Sequence, residues 1–407
     1  MENSSTHLPA AEDLPVLTIA EVDADPHGVF RHWRRTHPFV AHEAGGYIVL
    51  RHADVTRLSG DPRLRSTETG FPQSRGITQG PLFDMFQYGM LTANDGVHAR
   101  RRAPMSRTFA VQIVDELRPH IRRSAEDLIN AFYDDGHAEF VSQFAAHIPA
   151  HTLASLLGLP REDIPSFTRL VYDVGRFFSP SSTQDDIHPC EAAAEQLQDY
   201  VENILHERRR APRGDFLSTF LAEADEGTKL SALEMIVQII QLIIGGTESV
   251  RAAIVAQTAV LLLHRDQWKA VCGDPGLIPA AVSEAMRFEP GIAGMVRFSA
   301  EDIDIDGLTL PAGQLVTLST MSAMRDENAY KRPDEFNIHR SDLPRLHPVF
   351  GGGAHRCIAE AVARVELEVC LAALTARIPH LRLEEIPVFK GHIFVRSMSS
   401  MCVSWDT

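Results

Sequence analysis

Apolar residues recur at helical spacing through most of the middle of the chain. From about residue 98 to residue 263 the pattern breaks at Leu159-Pro160, at Ser179-Pro180 and at residues 211–215, where proline and glycine are typical of helix ends. The helical spacing returns between residues 358 and 378. These segments predict a protein that is built mainly from helices.

Shorter segments show the alternation that is typical of strands. Residues 295–316 alternate, with turns at Asp306-Gly307 and Pro311-Ala312-Gly313. Residues 46–64 predict a strand that leads into a short helix, after a helical segment at 28–39. Residues 66–95 have no regular period, and long irregular segments often carry function. We expect this loop to cover a pocket.

The predicted fold class is therefore mainly α with small β-sheets. A chain of 407 residues with 44% hydrophobic content can bury a large core, and its length alone would allow more than one domain. No Pro/Gly/Ser linker and no shift in composition divides it. We expect a flexible segment over residues 1–24 and a single domain over residues 25–407.

Charge and hydropathy indicate where the protein works. The formal charge of -15, from 54 acidic and 39 basic residues, argues against nucleic acid or an anionic membrane as a partner. The polar N-terminus lacks a signal pattern. The most apolar stretch, residues 236–263, is too polar for a membrane span and predicts a buried helix. It is interrupted by Gln238, Gln241, Glu248, Arg251 and Gln257. We expect a cytoplasmic protein.

One of the five cysteines has an unusual context. The cysteines are scattered without C-x-x-C spacing, which argues against a disulfide framework or a zinc cage. Cys357, however, ends the run Phe350-Gly351-Gly352-Gly353-Ala354-His355-Arg356-Cys357, where a helical pattern begins. A helix N-terminus favours a thiolate, which lowers the thiol pKa and prepares a metal ligand. The glycines would let the backbone approach a flat surface and turn amide groups toward the sulfur.

Other interpretations of this cysteine fit less well. An inert buried thiol is the expectation for the remaining four, Cys190, Cys272, Cys370 and Cys402. A cysteine phosphatase needs an arginine close behind the cysteine, whereas the first one here is Arg364. No histidine partner for a cysteine hydrolase can be identified. The glycine run lacks the G-x-G-x-x-G arrangement of a nucleotide loop.

The loop resembles the haem-binding loop of the cytochrome P450 family. The family pattern Phe-x-x-Gly-x-x-x-Cys-x-Gly/Ala is matched by Phe350, Gly353, Cys357 and Ala359. The resemblance implies haem b (iron protoporphyrin IX), with Cys357 as the axial ligand of the iron and Phe350 and Gly351 beside the cofactor. A cysteine thiolate on haem iron favours cleavage of the O–O bond.

Further motifs follow the order that the family has. Glu284 and Arg287 match its Glu-x-x-Arg, a structural ion pair that the resemblance implies is completed by Arg340. Other positions resemble those that hold the haem propionates, where several cations suit two carboxylates. These are His98, Arg102, Arg297 and His355. Taken alone, His98 and Arg102 would equally suit a solvated basic face.

The long apolar helix carries the third motif. Gly245 and Gly246 each cost about 1 kcal/mol within a helix, so we expect a local widening or kink against a bound group. Glu248 and Ser249 match the acid and alcohol that deliver protons to bound dioxygen in the family, although serine replaces the usual threonine. Without the methyl group that limits χ1, the hydroxyl is expected to be positioned more loosely. The alternative is a core helix with a paired glutamate.

The resemblance implies a monooxygenase that uses O2 and hydroxylates a hydrophobic small molecule. Electrons would come from NAD(P)H through a separate ferredoxin and its reductase, and the protein is expected to be a monomer. We expect a basic docking patch for the ferredoxin. It comprises Arg100, Arg101, Arg107, Arg122, Arg123, Arg356 and Arg364. A peroxide-using haem enzyme, in which the acid and alcohol are replaced, and a haem-based ligand sensor or carrier are the alternatives.

The resemblance also implies a mostly apolar substrate pocket, in which each residue could equally belong to the core. The expected lining residues are Phe83, Met85, Phe86, Ile244, Gly245, Ile292, Ala293 and Phe394.

Overall fold

The computed structural model describes residues 14–109, 113–178, 182–344 and 346–406. Most of these residues are helical, as the apolar spacing predicts. The helices are α1 (Ile19–Ala24), α2 (Pro26–Arg34), α3 (His52–Leu58), α4 (Gly70–Ser74), α5 (Pro81–Gln87), α6 (Asp95–Phe109), α7 (Ile113–Phe132), α8 (His147–Leu156), α9 (Ile164–Gly175), α10 (Gln184–Arg210), α11 (Phe216–Glu223), α12 (Ala232–Leu263), α13 (Arg265–Gly273), α14 (Ile278–Phe288), α15 (Thr320–Ala323) and α16 (Glu360–Arg377).

The strands are short and form small sheets at the edge of the helices. They are β1 (Val16–Leu17), β2 (Phe39–His42), β3 (Tyr47–Val49), β4 (Leu64–Arg65), β5 (His137–Glu139), β6 (Gly294–Ser299), β7 (Ile303–Ile305), β8 (Leu308–Leu310), β9 (Leu315–Ser319), β10 (Arg382–Leu383) and β11 (Cys402–Ser404). The largest sheet has six strands in the order β1-β2-β3-β9-β6-β4, and a second has the order β10-β11-β5. The fold class that we expect, mainly α with small sheets, is confirmed.

The alternating segment at 295–316 forms β6 to β9. β6 and β9 pair antiparallel, with Val296 opposite Thr317. Between them β7 and β8 form a separate hairpin, and its turn residues Asp306 and Gly307 both have positive φ, 58° and 80°. Two positive φ angles are typical of the turns that fit the twist of a hairpin, and the Asp-Gly pair tolerates them.

α12 lies at the centre of the helical core. It begins at a capping box in which Ser231 and Glu234 satisfy each other's backbone amides. It packs against α8, α9, α10, α14 and α16. Among the described residues this is the one helix long and apolar enough to span a membrane, and most of its apolar window is buried inside the protein. Such burial is typical of a core helix.

Two expectations about the N-terminal part differ from the structure. The described part of the segment expected to be flexible, residues 14–24, is folded: Leu17 is fully buried and β1 pairs with β2, while α1 follows. Residues 1–13 lie outside the described residues. The irregular stretch at 66–95 contains α4 and α5, which are too short to show a period in the sequence.

Candidate functional site

A cavity of roughly 2570 Å³ lies between α12, the start of α16, β6 and the C-terminal loop. A site for one drug-sized ligand usually has about 300–1,000 Å³. The cavity therefore has room for a large planar group and a second molecule. Cys357 and Gly245 both line it.

The glycine loop before Cys357 folds back on itself. The amide of Cys357 donates to the carbonyl of Phe350 at 2.8 Å, and Gly351 and Gly353 have φ of 73° and 60°. A Cβ on Gly353 would lie 2.6 Å from the Cα of Gly60, which follows α3. Gly353 is thus required by its own φ and by a neighbouring loop of the protein.

The thiol of Cys357 faces the cavity. The residue is exposed there although the site is deep, and the amide of Ala359 donates to its sulfur. α16 begins only at Glu360, so Cys357 precedes the helix by three residues. Burial raises the pKa of the thiol, and this outweighs the amide of Ala359 and the charges of Arg102 and Arg356. The expected lowering of the thiol pKa by the helix N-terminus is wrong for the protein without a metal.

A group of basic side chains adjoins the thiol. The rings of His98 and His355 lie 4.0 Å apart between centroids. Arg102 donates to the carbonyl of Arg356 at 2.5 Å, and Arg297 donates to the carbonyl of Val296 at 2.8 Å. Arg102, Arg297 and His355 line the cavity, whereas His98 is buried behind His355. We call His98, Arg102, Arg297 and His355 the basic cluster.

The basic cluster has no counter-charge among the described residues. Burial lowers the pKa of both Arg102 and Arg297, and no carboxylate pairs with either. Burial and the charges of His98, Arg297 and Arg102 lower the pKa of His355 to about 3. The Nε2 atom of His98 is buried, and no group in the described part of the chain forms a hydrogen bond with it. Unpaired buried cations are costly, so the cluster fits an anionic group such as the two carboxylates of haem.

α12 presents its glycines to the cavity. Gly245 is exposed there, while most residues of the helix are buried. The helix stays α-helical from Ala232 to Leu263, so the expected widening at Gly245-Gly246 is not found. The glycines instead leave the cavity wall without side chains.

The acid and alcohol that follow the glycines are both engaged. The Ser249 hydroxyl donates to the carbonyl of Gly245 at 2.8 Å. Glu248 forms an ion pair with Arg251, with 2.8 Å between Oε2 and Nε and a second, shorter contact. A paired glutamate is also what the core-helix alternative expects. Both residues line the cavity, however, which a plain core position would not explain.

The Glu-x-x-Arg motif forms a buried ion pair with a third member. Glu284 accepts from Arg287 at 2.7 and 2.9 Å and from Nε of Arg340 at 3.1 Å. The amide of Asn337 also donates to Glu284, and the carboxylate is fully buried. The group ties α14 to the coil that precedes the haem-type loop.

Comparisons with known proteins agree with this geometry. The model of the family "Cytochrome P450" matches residues 276–380. The chain is 38% identical to the plant-inducible cytochrome P450-pinF1 of Rhizobium radiobacter, over 96% of this chain and 93% of that protein. The chain belongs to the cytochrome P450 family. Members are haem monooxygenases, so this cytochrome P450 is an oxidoreductase.

Further matches agree in sequence and in fold. This cytochrome P450 is 31% identical to the vitamin D(3) 25-hydroxylase of Pseudonocardia autotrophica, over 88% of this chain and 87% of that protein. The crystal structure of CalO2 is similar with a TM-score of 0.87 and 28% identity, over 95% of this chain and 97% of CalO2.

The walls of the P450 cavity are mostly apolar. Of the expected lining residues, six face it: Met85, Phe86, Ile244, Gly245, Ile292 and Phe394. Phe83 packs in the main core and Ala293 is fully buried beneath the sheet, so these two expectations are wrong. Phe71 and Phe178 also line the cavity and stack on each other, with centroids 6.4 Å apart. They were missed because they lie 107 positions apart in the sequence.

The expected basic docking patch is largely neutralised. Arg100 and Arg101 both bind Glu234, and Arg101 is buried. The other paired members are Arg107 with Glu223, and Arg356 and Arg364 with Glu360. The sequence alone does not show these pairings, because some of them join segments that are far apart along the chain. Arg122 and Arg123 on α7 remain exposed.

The cavity wall contains a further acid that the sequence does not indicate. Glu366 of α16 lines the cavity but is only 3% exposed. In the sequence it stands in the stretch ARVELEV, where its polar character is typical of a solvent-facing helix position. Its burial depends on the packing of α16 against α8 and α12.

Proposed function

We propose that this cytochrome P450 inserts one oxygen atom of O2 into a C–H bond of a hydrophobic small molecule. The observation that carries the proposal is a cysteine thiol that faces a large apolar cavity, beside a basic cluster to which the described residues offer no counter-charge. The same cavity thus contains a thiol that can bind the haem iron, basic side chains that suit the anionic edge of the cofactor, and apolar walls that suit a hydrophobic substrate.

The residues of the cavity fit haem b. The sulfur of Cys357 would bind the haem iron. Arg102, Arg297 and His355 would donate charge-assisted hydrogen bonds to the propionates, with His98 supporting His355 from behind. Phe350 and Gly351 would back the cofactor on the cysteine side. When bound, the haem would supply the activation of O2, and a thiolate ligand favours cleavage of the O–O bond.

Glu248 and Ser249 would handle the protons that the reaction consumes. The Ser249 hydroxyl is anchored on Gly245 and keeps its oxygen lone pairs free to accept a proton. Glu248 is 37% exposed, so its carboxylate can exchange protons with water while Arg251 holds it in place. In this scheme Glu248 takes up a proton from solvent, and the Ser249 hydroxyl passes a proton on into the cavity.

The electrons would come from NAD(P)H through a separate ferredoxin and its reductase. Arg122 and Arg123, exposed on α7, would contribute to docking an acidic partner. Because most arginines of the expected docking patch are already paired with acids, we expect the patch to attract an acidic ferredoxin more weakly than seven unpaired arginines would. A cytoplasmic monomer fits this scheme.

The substrate would be held by apolar contacts. Phe71, Phe86, Ile244 and Phe394 supply aromatic and aliphatic walls. The similarity to a vitamin D(3) 25-hydroxylase supports hydroxylation of a hydrophobic molecule. A spectral screen for compounds that displace water from the haem would find candidates.

The decisive experiment is the spectrum of the reduced, haem-loaded protein with CO. We expect the red-shifted Soret band that is typical of thiolate ligation, and its loss in Cys357→His. An unshifted band in the wild type would refute the assignment of Cys357. Turnover that is faster with peroxide than with ferredoxin, reductase and NAD(P)H would refute the monooxygenase.

A further inference from the structure

Two buried glutamines interrupt the apolar first half of α12. Gln238 is fully buried and Gln241 is only 6% exposed, although a buried amide is costly unless it forms hydrogen bonds. Both side chains form hydrogen bonds with residues 85–91, which we call the wall segment. The members of the wall segment that line the cavity are Met85, Phe86, Met90 and Leu91.

The end of α5 explains why the wall segment needs these partners. A helix leaves its last four carbonyl groups without partners of its own. α5 ends at Gln87, and the carbonyls of residues 85–88 each accept a hydrogen bond from a side chain elsewhere in the chain. The donors, in the order of these carbonyls, are Gln241, Thr92, Arg101 and Gln238. The end of α5 is therefore held by its neighbours, and two of these four donors belong to α12.

Gln241 joins the two ends of the wall segment. Its Nε2 donates to the carbonyl of Met85 at 2.8 Å, and its Oε1 accepts from the amide of Leu91 at 2.8 Å. Gly89 makes this close approach possible, because a Cβ there would lie 1.8 Å from Nε2. Gln241 stands four positions before Gly245 and so shares a face of α12 with it. That face thus carries the bare wall at Gly245 and, through Gln241, the apolar wall segment.

We propose that Gln241 is a positioning residue for the substrate: by holding the wall segment against α12, it sets how far a substrate that rests on this wall lies from the Ser249 hydroxyl. The inference rests on the proposed function. Because side chains of the protein hold the wall segment before any ligand binds, a bulky ligand does not bear the cost of ordering it. The pocket therefore favours molecules whose shape matches a fixed wall.

The first test measures this hold directly and needs no turnover. Hydrogen exchange of the holoenzyme, followed by mass spectrometry, reports how often a segment of the chain opens. In Gln241→Leu a side chain of similar size leaves both ends of the wall segment without their partner, so we expect its peptides to exchange about tenfold faster than in the wild type. Unchanged exchange overturns the proposal.

Gln267→Leu on α13 is the matched control. The amide of Gln267 makes the same two hydrogen bonds with another loop, to the carbonyl of Phe336 and from the amide of Ile338. None of these three residues lines the cavity. The control should speed exchange around residues 336–338 and leave the wall segment as it is in the wild type. Faster exchange of the wall segment in the control as well would indicate a general loosening of the protein and would also overturn the proposal.

The second test asks whether the hold shapes the pocket. Azoles bind haem iron through a ring nitrogen and shift the Soret band, so their affinity can be titrated without the natural substrate. Imidazole probes the iron alone, whereas clotrimazole, with three further aromatic rings, also probes the walls. We expect Gln241→Leu to weaken clotrimazole about tenfold and imidazole less than about twofold, and Gln267→Leu to change neither. A purely structural role would weaken both azoles alike, and that result, or no loss of either, overturns the proposal.

A second variant, Gln241→Glu, keeps the shape of the side chain and the oxygen that accepts from Leu91. It serves where Gln241→Leu fails to take up haem, and it should show the same changes in exchange and in clotrimazole affinity to a smaller extent. Wild-type behaviour of the Gln241 variants, with a normal reduced-CO band, would overturn the role of Gln241 and leave the proposed function intact. An unshifted CO band in the wild type would refute the proposed function itself.

Discussion

His98 and His355 lie ring against ring, 4.0 Å apart, with Arg102 and Arg297 beside them and no carboxylate from the described residues to balance the charge. A protein gains nothing from such an arrangement in isolation, because like charges and burial both oppose it. The arrangement becomes favourable when an anionic ligand binds. The basic cluster is therefore a binding surface held ready at the expense of stability.

Removing one member should loosen the cofactor. Arg297 is half-buried at the cavity wall, and its one hydrogen bond to the described residues is to the Val296 carbonyl. With haem bound, we therefore expect Arg297→Ala to lose a charge-assisted hydrogen bond worth about 1.5–3 kcal/mol. That corresponds to roughly a 10- to 100-fold faster loss of haem. Transfer of haem to an acceptor apoprotein measures the rate. The exposed Arg122→Ala is the control, and equal rates for the two variants would contradict the role of Arg297.

The buried ion pair should matter for stability instead. Glu284→Ala leaves Arg287 buried without a counter-charge from the described residues and leaves Arg340 with Asp342 alone, which should cost about 3–5 kcal/mol in free energy of unfolding. Urea titrations of the holoenzyme measure the loss. The exposed pair of Arg332 and Glu335 offers a control, because Arg332→Ala should change stability by less than about 1 kcal/mol. Comparable losses in both variants would argue against a special role for Glu284.

Ser249 should affect how oxygen is used and leave folding intact. Ser249→Ala removes the hydroxyl anchored on Gly245, and we expect a several-fold rise in peroxide released per NAD(P)H. Ser249→Thr should couple at least as well as the wild type, since a β-branched side chain holds χ1 more tightly. Thr258→Val is the matched control: its hydroxyl makes the same bond to the carbonyl four residues earlier, Ile254, on the same helix. Unchanged coupling in Ser249→Ala would remove Ser249 from the scheme.

The sequence predicts the parts of the site that depend on local spacing. Three motifs are recognisable because a few neighbouring residues define each of them. They are the run that ends at Cys357, the pair of Glu284 and Arg287, and the glycines of α12. What could not be predicted depends on which segments meet. Gly353 is constrained by Gly60, and Arg100 and Arg101 are neutralised by Glu234, more than 130 residues away. Local spacing contains no information on such contacts.

Glu366 should make stability depend on pH in a way that exposed acids do not. Burial raises its pKa from 4.5 to about 8. Between these values the folded protein holds a proton that the unfolded chain has lost, so the free energy of unfolding falls as pH rises, by about 1.4 kcal/mol per pH unit. Below about pH 4.5 both states are protonated and the contribution vanishes, and above about pH 8 the full cost is present. We expect urea titrations of the holoenzyme at several values between pH 5 and pH 8 to show that Glu366→Gln gains stability over the wild type as pH rises. The control is Glu368→Gln, on the same helix and paired with Arg118, whose stability should change with pH in parallel with that of the wild type. Parallel curves for all three proteins would mean that Glu366 is ionised in the folded state.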